Sequence, residues 1–323
     1  MNTKYNLDFK ENSVDAVVLA GRSKLIVSDK SNIIYFSFPL LPSSPSTLYP
    51  TEIVNPPQPL DKADIDYKAI IKINKKPMVN YVVEALAKSD YVNNIYIVGE
   101  EDQLNKTGFS GGKEKIRFVD DKGSFIDNLI EGGNKAKSDK ILFSTSDIPL
   151  IKKEHINNFI EKCFEMDKGS IYISYYTKES NNYNLKANYP AKIEGKRLRN
   201  GGIFMMNYDF LNEISKKGEL YETISPLYGE RKKGLWPYLK LVNYIPFSIL
   251  MKYIINLFLN NLTIKYAEKA ISNKLTKRIN KRTSNNLTYN LYGIEGVPEF
   301  GIDVDSYEDL ENIEKIIIKK SKN

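Results

Sequence analysis

Between residues 13 and 150, apolar runs of strand length alternate with stretches of helical periodicity. That alternation narrows the fold more than any other property of the chain. Val14-Asp15-Ala16-Val17-Val18-Leu19 reads as a strand running into a turn at Ala20-Gly21. Lys68-Ala69-Ile70-Ile71-Lys72-Ile73 predicts a second, short strand. Met78, Val79, Val82, Val83, Leu86 and Ala87 recur at helical spacing behind Pro77, a residue favoured at helix starts. Strands follow at Ile95-Tyr96-Ile97-Val98 and Ile116-Arg117-Phe118-Val119, then a helix over residues 124–136 and a strand at Lys140-Ile141-Leu142-Phe143. Strand and helix in repetition predict an α/β fold, with a parallel sheet joined by right-handed crossovers.

The last of these strands carries the most chemistry. It continues as Ser144-Thr145-Ser146-Asp147-Ile148-Pro149. An apolar strand buried on both faces belongs to a parallel sheet. An acid at its C-terminal end stands where open α/β sheets bind ligands. Pro149 stops the ladder and fixes the turn. Asp147 therefore reads first as a metal ligand, and otherwise as a carboxylate capping the turn.

Composition removes several function classes. Cys163 is the single cysteine and His155 the single histidine. An internal disulfide is excluded, and a His/Cys zinc site lacks its ligands. A Ser-His-Asp hydrolase would need His155, whose polar Lys-Lys-Glu-His-Ile-Asn-Asn setting reads as a surface helix. The net charge of +7 favours anionic partners such as phosphates. A polar N-terminus without a secretory pattern, together with one cysteine, predicts a cytoplasmic protein.

Pro39, Pro42, Pro45, Pro50, Pro56, Pro57 and Pro59 crowd residues 23–66. That stretch reads as a long excursion with one hairpin near residues 31–38. Further on, a helix is predicted over 156–166 and strands over 170–177 and 198–207. Residues 244–259 are strongly apolar, broken by Pro246, Ser248, Lys252 and Asn256. They fall short of the roughly 20 residues a membrane span needs, and read as a core helix or an interfacial one. Residues 265–282 carry seven lysines and arginines against Glu268 alone. Such a run is a solvated face or a contact for anionic lipid. Asp303 and Asp305 sit in a last short strand or turn, before a helix over 307–318 with acids in its first turn. The expected organisation is a core over 1–220 that includes the excursion at 23–66, a helical apolar and basic insertion over 221–290, and a return to the core over 291–323.

Taken in order, four groups of residues resemble the MobA-like NTP transferases. They are Val17-Val18-Leu19-Ala20-Gly21; Lys68 with Lys76-Pro77-Met78-Val79; Ser146-Asp147-Ile148-Pro149; and Asp305-Ser306-Tyr307-Glu308-Asp309-Leu310. The resemblance implies a three-layer, Rossmann-like sheet of the GT-A nucleotidyltransferase type, mostly parallel, here with a helical insertion near the C-terminus. It also implies transfer of a nucleoside monophosphate from an NTP to a phosphorylated small molecule, with Mg²⁺ as cofactor and pyrophosphate released. On this resemblance Leu19, Ala20, Gly21 and Arg22 hold the nucleotide, and Lys68 steadies the α-phosphate. Asp147 and Asp305 hold the metal, with Asp303 as the rival for the second place. Gly123 and Asn128 mark the helix start that touches base or ribose. Asn200, Gly201 and Gly202 line the acceptor pocket.

The chain departs from the pattern in its first loop. Arg22 stands for a second glycine, Tyr67 for a proline, and residues 23–66 intervene. Two other readings share the fold. Asp303-Val304-Asp305 matches the Asp-x-Asp of GT-A glycosyltransferases, and the altered loop suits a nucleotide-binding protein without turnover. The expected partners are an NTP and a phosphorylated acceptor, with peripheral contact to an anionic membrane through residues 244–282 and no nucleic acid.

Overall fold

The computed structural model describes residues 13–22, 67–109, 112–166, 168–183, 185, 189, 191–218, 220–222, 262–283 and 287–321. The hairpin expected near 31–38 and the apolar run at 244–259 lie outside the described residues.

Strand β1 (Val14–Leu19) is followed by a 3-10 turn (Lys68–Ile70) and a small hairpin of β2 (Lys72–Ile73) and β3 (Lys76–Pro77). Helix α1 (Met78–Ala87), β4 (Val92–Val98), α2 (Glu101–Asn105), β5 (Ile116–Val119), α3 (Phe125–Lys135) and β6 (Lys140–Thr145) follow in turn. Then come α4 (Lys153–Glu165), β7 (Ile171–Thr177), β8 (Ala191–Ile193), β9 (Lys196–Asn207) and α5 (Tyr208–Ser215). The chain closes with α6 (Ile264–Thr283), β10 (Leu291–Glu295) and α7 (Tyr307–Ser321).

The main sheet runs in the order β10-β7-β9-β6-β1-β4-β5, with β8 paired to β9. The pairs β1/β4, β1/β6, β4/β5 and β10/β7 are parallel. Strand β9 is antiparallel to β6, β7 and β8, so among the described strands of the main sheet it is the one that is reversed. The mostly parallel sheet expected from the alternation is present.

Alternation along β1 feeds both faces of the sheet, as a two-residue side-chain period requires. Ala16 and Val18 join Val82, Val83 and Leu86 of α1 and Ile156, Phe159 and Ile160 of α4. Val17 and Leu19 join Leu129 and Ile130 of α3, Leu211 of α5, and Ile271 and Leu275 of α6. Helices therefore cover both faces, giving three layers. Each fully buried Val, Leu or Ile in them contributes roughly 1.5–3 kcal/mol. The exception in β1 is Asp15, 2% exposed. Its carboxylate accepts from Lys137 N at 2.6 Å and Asn94 Nδ2 at 2.8 Å, which offsets its burial.

Two local expectations change. The strand expected over residues 68–73 shrinks to β2, because Ile71 N closes a 3-10 turn on Lys68 O at 3.2 Å. Asn74 and Lys75, both at positive φ, then form the two-residue hairpin turn. Strand β10 was not anticipated: it is five residues with a central glycine, and its partner β7 lies far back in sequence. Of the strand or turn expected at residues 301–305, the turn forms, at Gly301, and Val304 N donates to Asp147 O at 3.0 Å. Among the described residues no helix is long and apolar enough to cross a membrane.

Candidate active site

Parallel pairing of β1 with β6 sets Leu19 opposite Thr145. Ala20-Gly21 and Ser146-Asp147 therefore leave the sheet side by side at its C-terminal edge. This is where open α/β sheets gather ligands.

Lys68 occupies the centre of that edge. The 3-10 turn carries its side chain inward, leaving it 6% exposed. Its Nζ donates to Asp147 Oδ2 at 2.7 Å and to Asp305 Oδ1 at 2.7 Å. Burial alone would discharge this ammonium, but the two carboxylates hold it above the ordinary lysine value. Burial likewise opposes ionisation of Asp147, and Lys68 overrides it, holding the carboxyl below its usual range. Asp305 reaches the site because Ser306 begins α7. The Ser306 hydroxyl accepts from Asp309 N at 3.2 Å, and Asp309 Oδ2 accepts from Ser306 N at 2.9 Å, a reciprocal cap.

Asp303 lies on the same segment but binds a different cation. Arg199 Nη2, on β9, donates to Asp303 Oδ1 at 2.6 Å. Burial pushes the Asp303 carboxyl up to about 7, Arg199 opposes this, and the charges of Asp305 and Asp147 add to it. Lys68 thus engages Asp147 and Asp305, while Asp303 belongs to Arg199.

The first-strand turn meets a second loop. Ala20 N donates to Val98 O at 2.9 Å and continues the sheet. Arg22 N then donates to Asp121 Oδ2 at 2.9 Å, and the Arg22 guanidinium pairs with Glu100. Asp121 also accepts from Gly123 N at 2.8 Å and Asn128 Nδ2 at 2.8 Å. Asn128 Oδ1 takes Lys122 N at 2.6 Å. Burial works against the Asp121 charge, yet these donors hold its carboxyl below the usual range. Gly21 is required here: a Cβ would lie 2.5 Å from Asn128 Nδ2 and 3.2 Å from Asp121 Oδ2. Gly21, Arg22, Gly123 and Asn128 are thereby brought into one cluster.

Asn200, Gly201 and Gly202 lie inside β9, where the β7 register shifts between Ile173 and Tyr175. A Cβ on Gly201 would stand 2.6 Å from Phe300 Cβ, and one on Gly202 2.5 Å from Thr145 Oγ1. These glycines let the turn at Pro298–Phe300 pack against β9. That turn delivers residues 301–305 to Lys68. The Asn200 amide nitrogen is buried without a hydrogen-bond partner.

No group of three or more His, Cys, Asp or Glu side chains is arranged to hold a metal among the described residues. The Asp147/Asp305 pair nevertheless fits Mg²⁺, which takes one or two carboxylates together with substrate phosphates. The Lys68 ammonium lies between these two carboxylates, where a cation is favoured.

Asp121, Arg199 and Glu100 were not singled out by sequence. Asp121 follows the end of β5 much as Asp147 follows β6, a signal the sequence did carry. Arg199 becomes visible only through the reversed strand that sets it opposite residue 303.

Residues 65–199 match the family model for the MobA-like NTP transferase domain. In fold, the chain is similar to a hypothetical transferase from Thermus thermophilus at TM-score 0.57 and 17% identity, over 92% of this chain and 99% of that one. It is also similar to a CMP:2-keto-3-deoxy-manno-octonic acid synthetase complexed with CTP, at TM-score 0.50 and 14% identity, over 95% and 98%. The bifunctional protein GlmU of Thermodesulfovibrio yellowstonii is 24% identical over 116 residues, 36% of this chain. That match spans only 26% of the length of GlmU.

Proposed function

We propose that the MobA-like NTP transferase domain of residues 65–199, completed by β1 and residues 301–309, acts as a Mg²⁺-dependent nucleotidyltransferase. It transfers a nucleoside monophosphate from an NTP to a phosphorylated small molecule, a sugar-, alcohol- or cofactor-phosphate, and releases pyrophosphate. The observation that carries this reading is Lys68 spanning Asp147 and Asp305 at 2.7 Å each, at the C-terminal edge of the sheet.

An oxygen of the acceptor phosphate forms a bond to the α-phosphorus as the α–β bridging bond breaks and pyrophosphate leaves. Position and charge stabilisation supply most of the rate for such a displacement. Asp147 and Asp305 would hold Mg²⁺, which neutralises phosphate charge when bound. Lys68 would present its ammonium to the α-phosphate and stabilise charge developing there. The cluster of Gly21, Arg22, Asp121 and Asn128 orients the nucleotide. Asp303 fixes the Arg199 guanidinium on β9, where it would meet the acceptor phosphate. The likeness to a synthetase solved with CTP supports an NTP as donor.

The test is pyrophosphate release across the four NTPs and a panel of phosphorylated acceptors, with Asp147→Ala alongside. Release that needs Mg²⁺ and disappears in the variant is the expected result. Full activity in Asp147→Ala, or binding of UDP-sugars in preference to NTPs, overturns the reading. The latter outcome would make the protein a glycosyltransferase. Tight NTP binding without turnover of any acceptor would make it a nucleotide-binding protein.

A further inference from the structure

Helix α6 plays no part in the reaction described above, and its two sides differ sharply. Ala267, Ile271, Ser272, Leu275 and Ile279 are buried. Three side-chain oxygens on that inner side lock α6 to the strand beside it. Glu268 Oε1 accepts from Gly293 N at 2.7 Å, Ser272 Oγ from Leu291 N at 2.9 Å, and Thr276 Oγ1 from Tyr289 N at 2.8 Å. The single acid of α6 is thus turned inward. Lys265, Lys269, Lys277 and Lys281 are exposed. They recur at multiples of four residues, on the arc opposite the buried one.

The position of this face matters. The three bonds run in opposite order along α6 and along residues 289–293, which lead into β10, so the helix is antiparallel to its strand. Strand β10 is parallel to β7. The N-terminal end of α6 therefore lies at the C-terminal edge of the sheet, the edge that carries Lys68, Asp147 and Asp305. The β8–β9 hairpin secures that end: Glu194 N donates to Leu262 O at 3.1 Å and Glu194 Oε1 accepts from Ile264 N at 3.1 Å.

We propose that the lysine-bearing face of α6 is a docking surface for an anionic lipid bilayer. Lysines are compact point charges that attract an anionic headgroup layer, and several along one helix add. The residues preceding this helix in sequence, 244–259, are the most apolar stretch of the chain. Stable peripheral attachment takes two signals, an apolar one and a basic one, and here they adjoin in sequence. That pairing selects lipid over nucleic acid, for which an apolar neighbour contributes nothing.

The experiment is flotation of the full chain with vesicles of phosphatidylcholine alone, and with phosphatidylserine added, at low and high salt. The protein should float with the phosphatidylserine vesicles only, and release as salt rises. The quadruple variant Lys265→Gln, Lys269→Gln, Lys277→Gln, Lys281→Gln should bind those vesicles roughly 100-fold more weakly or worse. Its circular dichroism and pyrophosphate release with a soluble acceptor should match the wild type, which separates loss of docking from loss of fold or of the transferase reaction. Absence of wild-type flotation, equal flotation with neutral vesicles, or unchanged binding of the quadruple variant overturns the proposal. So does salt-sensitive binding of single-stranded RNA by a protein that never floats.

Discussion

Lys68 and Asp305 lie 237 residues apart in the chain and 2.7 Å apart in the fold. Between them run the crossovers through α2, α3 and α4, the reversed strand β9 and the helix that covers β10. The contact closes only when the last segment returns to the edge where the first strand ended. Asp147 meets the same ammonium, and Val304 N grips the Asp147 carbonyl. One lysine therefore ties the central strand to the C-terminal segment, and the candidate site is also a structural joint.

The first consequence concerns stability. Lys68→Met removes the cation and leaves two carboxylates facing each other. Breaking a buried pair typically costs 3–5 kcal/mol, but Asp147 and Asp305 are 21% and 28% exposed, so solvent screens part of that. A loss of about 2–3 kcal/mol is expected in denaturant unfolding. Lys68 is held above its unfolded value, so its contribution is complete below about pH 10 and fades as pH rises through the folded value. Asp147 is held below its unfolded value, so its contribution is complete above about pH 4–5 and fades as pH falls through the folded value. The difference between wild type and variant should shrink as pH falls and the carboxylates protonate, and again as pH rises past about 10 and Lys68 discharges. A difference that grows in acid would contradict the assignment.

The second separates the two C-terminal acids. Asp305 shares Lys68 with Asp147, whereas Asp303 is engaged by Arg199. Asp305→Asn should lower kcat/KM for pyrophosphate release about 100-fold or more and abolish thermal stabilisation by Mg²⁺ with NTP. Asp303→Asn should keep that stabilisation and instead raise KM for the acceptor, because Arg199 loses its anchor. Thermal shifts with and without Mg²⁺ and NTP, read beside steady-state kinetics, decide between the two.

The fold was readable in the sequence where the signal was local. Apolar strands and amphipathic helices between residues 14 and 165 announce themselves by period, and Asp147 by its place after a buried strand. What escaped depends on distance. Strand β10 is too short and glycine-broken to show a period, and it exists because β7 offers an edge. Lys68 to Ile70 carries strand-like residues, yet two distant carboxylates draw the lysine inward and a 3-10 turn results. Arg199 looks like one more cation among many until the reversed strand sets it against Asp303. Asp121 was within reach, since it follows β5 and precedes a Gly-Ser helix start, the same grammar that marked Asp147.

A third prediction tests Asp121 as the link between the two loops. Its carboxylate collects donors from Arg22, Gly123 and Asn128. Asp121→Ala should weaken NTP binding in calorimetry more than it lowers the melting temperature, since the core helices stay packed. Its folded value lies below the usual carboxylate range. The stability it contributes is thus present above about pH 4 and lost as pH falls through that lower value. Acid unfolding of the variant should begin at the same pH or higher, never lower.

The last prediction concerns how the C-terminal segment is held. A Cβ on residue 201 would stand 2.6 Å from Phe300 Cβ, and Phe300 is 1% exposed in the core. Phe300 Cβ is not the loose end of a flexible chain, so Gly201→Ala must move the turn at Pro298–Phe300. Such overpacking typically costs 1–3 kcal/mol. The turn leads directly into residues 301–305, so the displacement should pull Asp305 from Lys68 and lower kcat more than stability alone explains. Gly218→Ala is the control, because a Cβ there meets nothing within 4 Å. If Gly201→Ala and Gly218→Ala prove equally harmless in unfolding and turnover, β9 does not position Asp305 in this way.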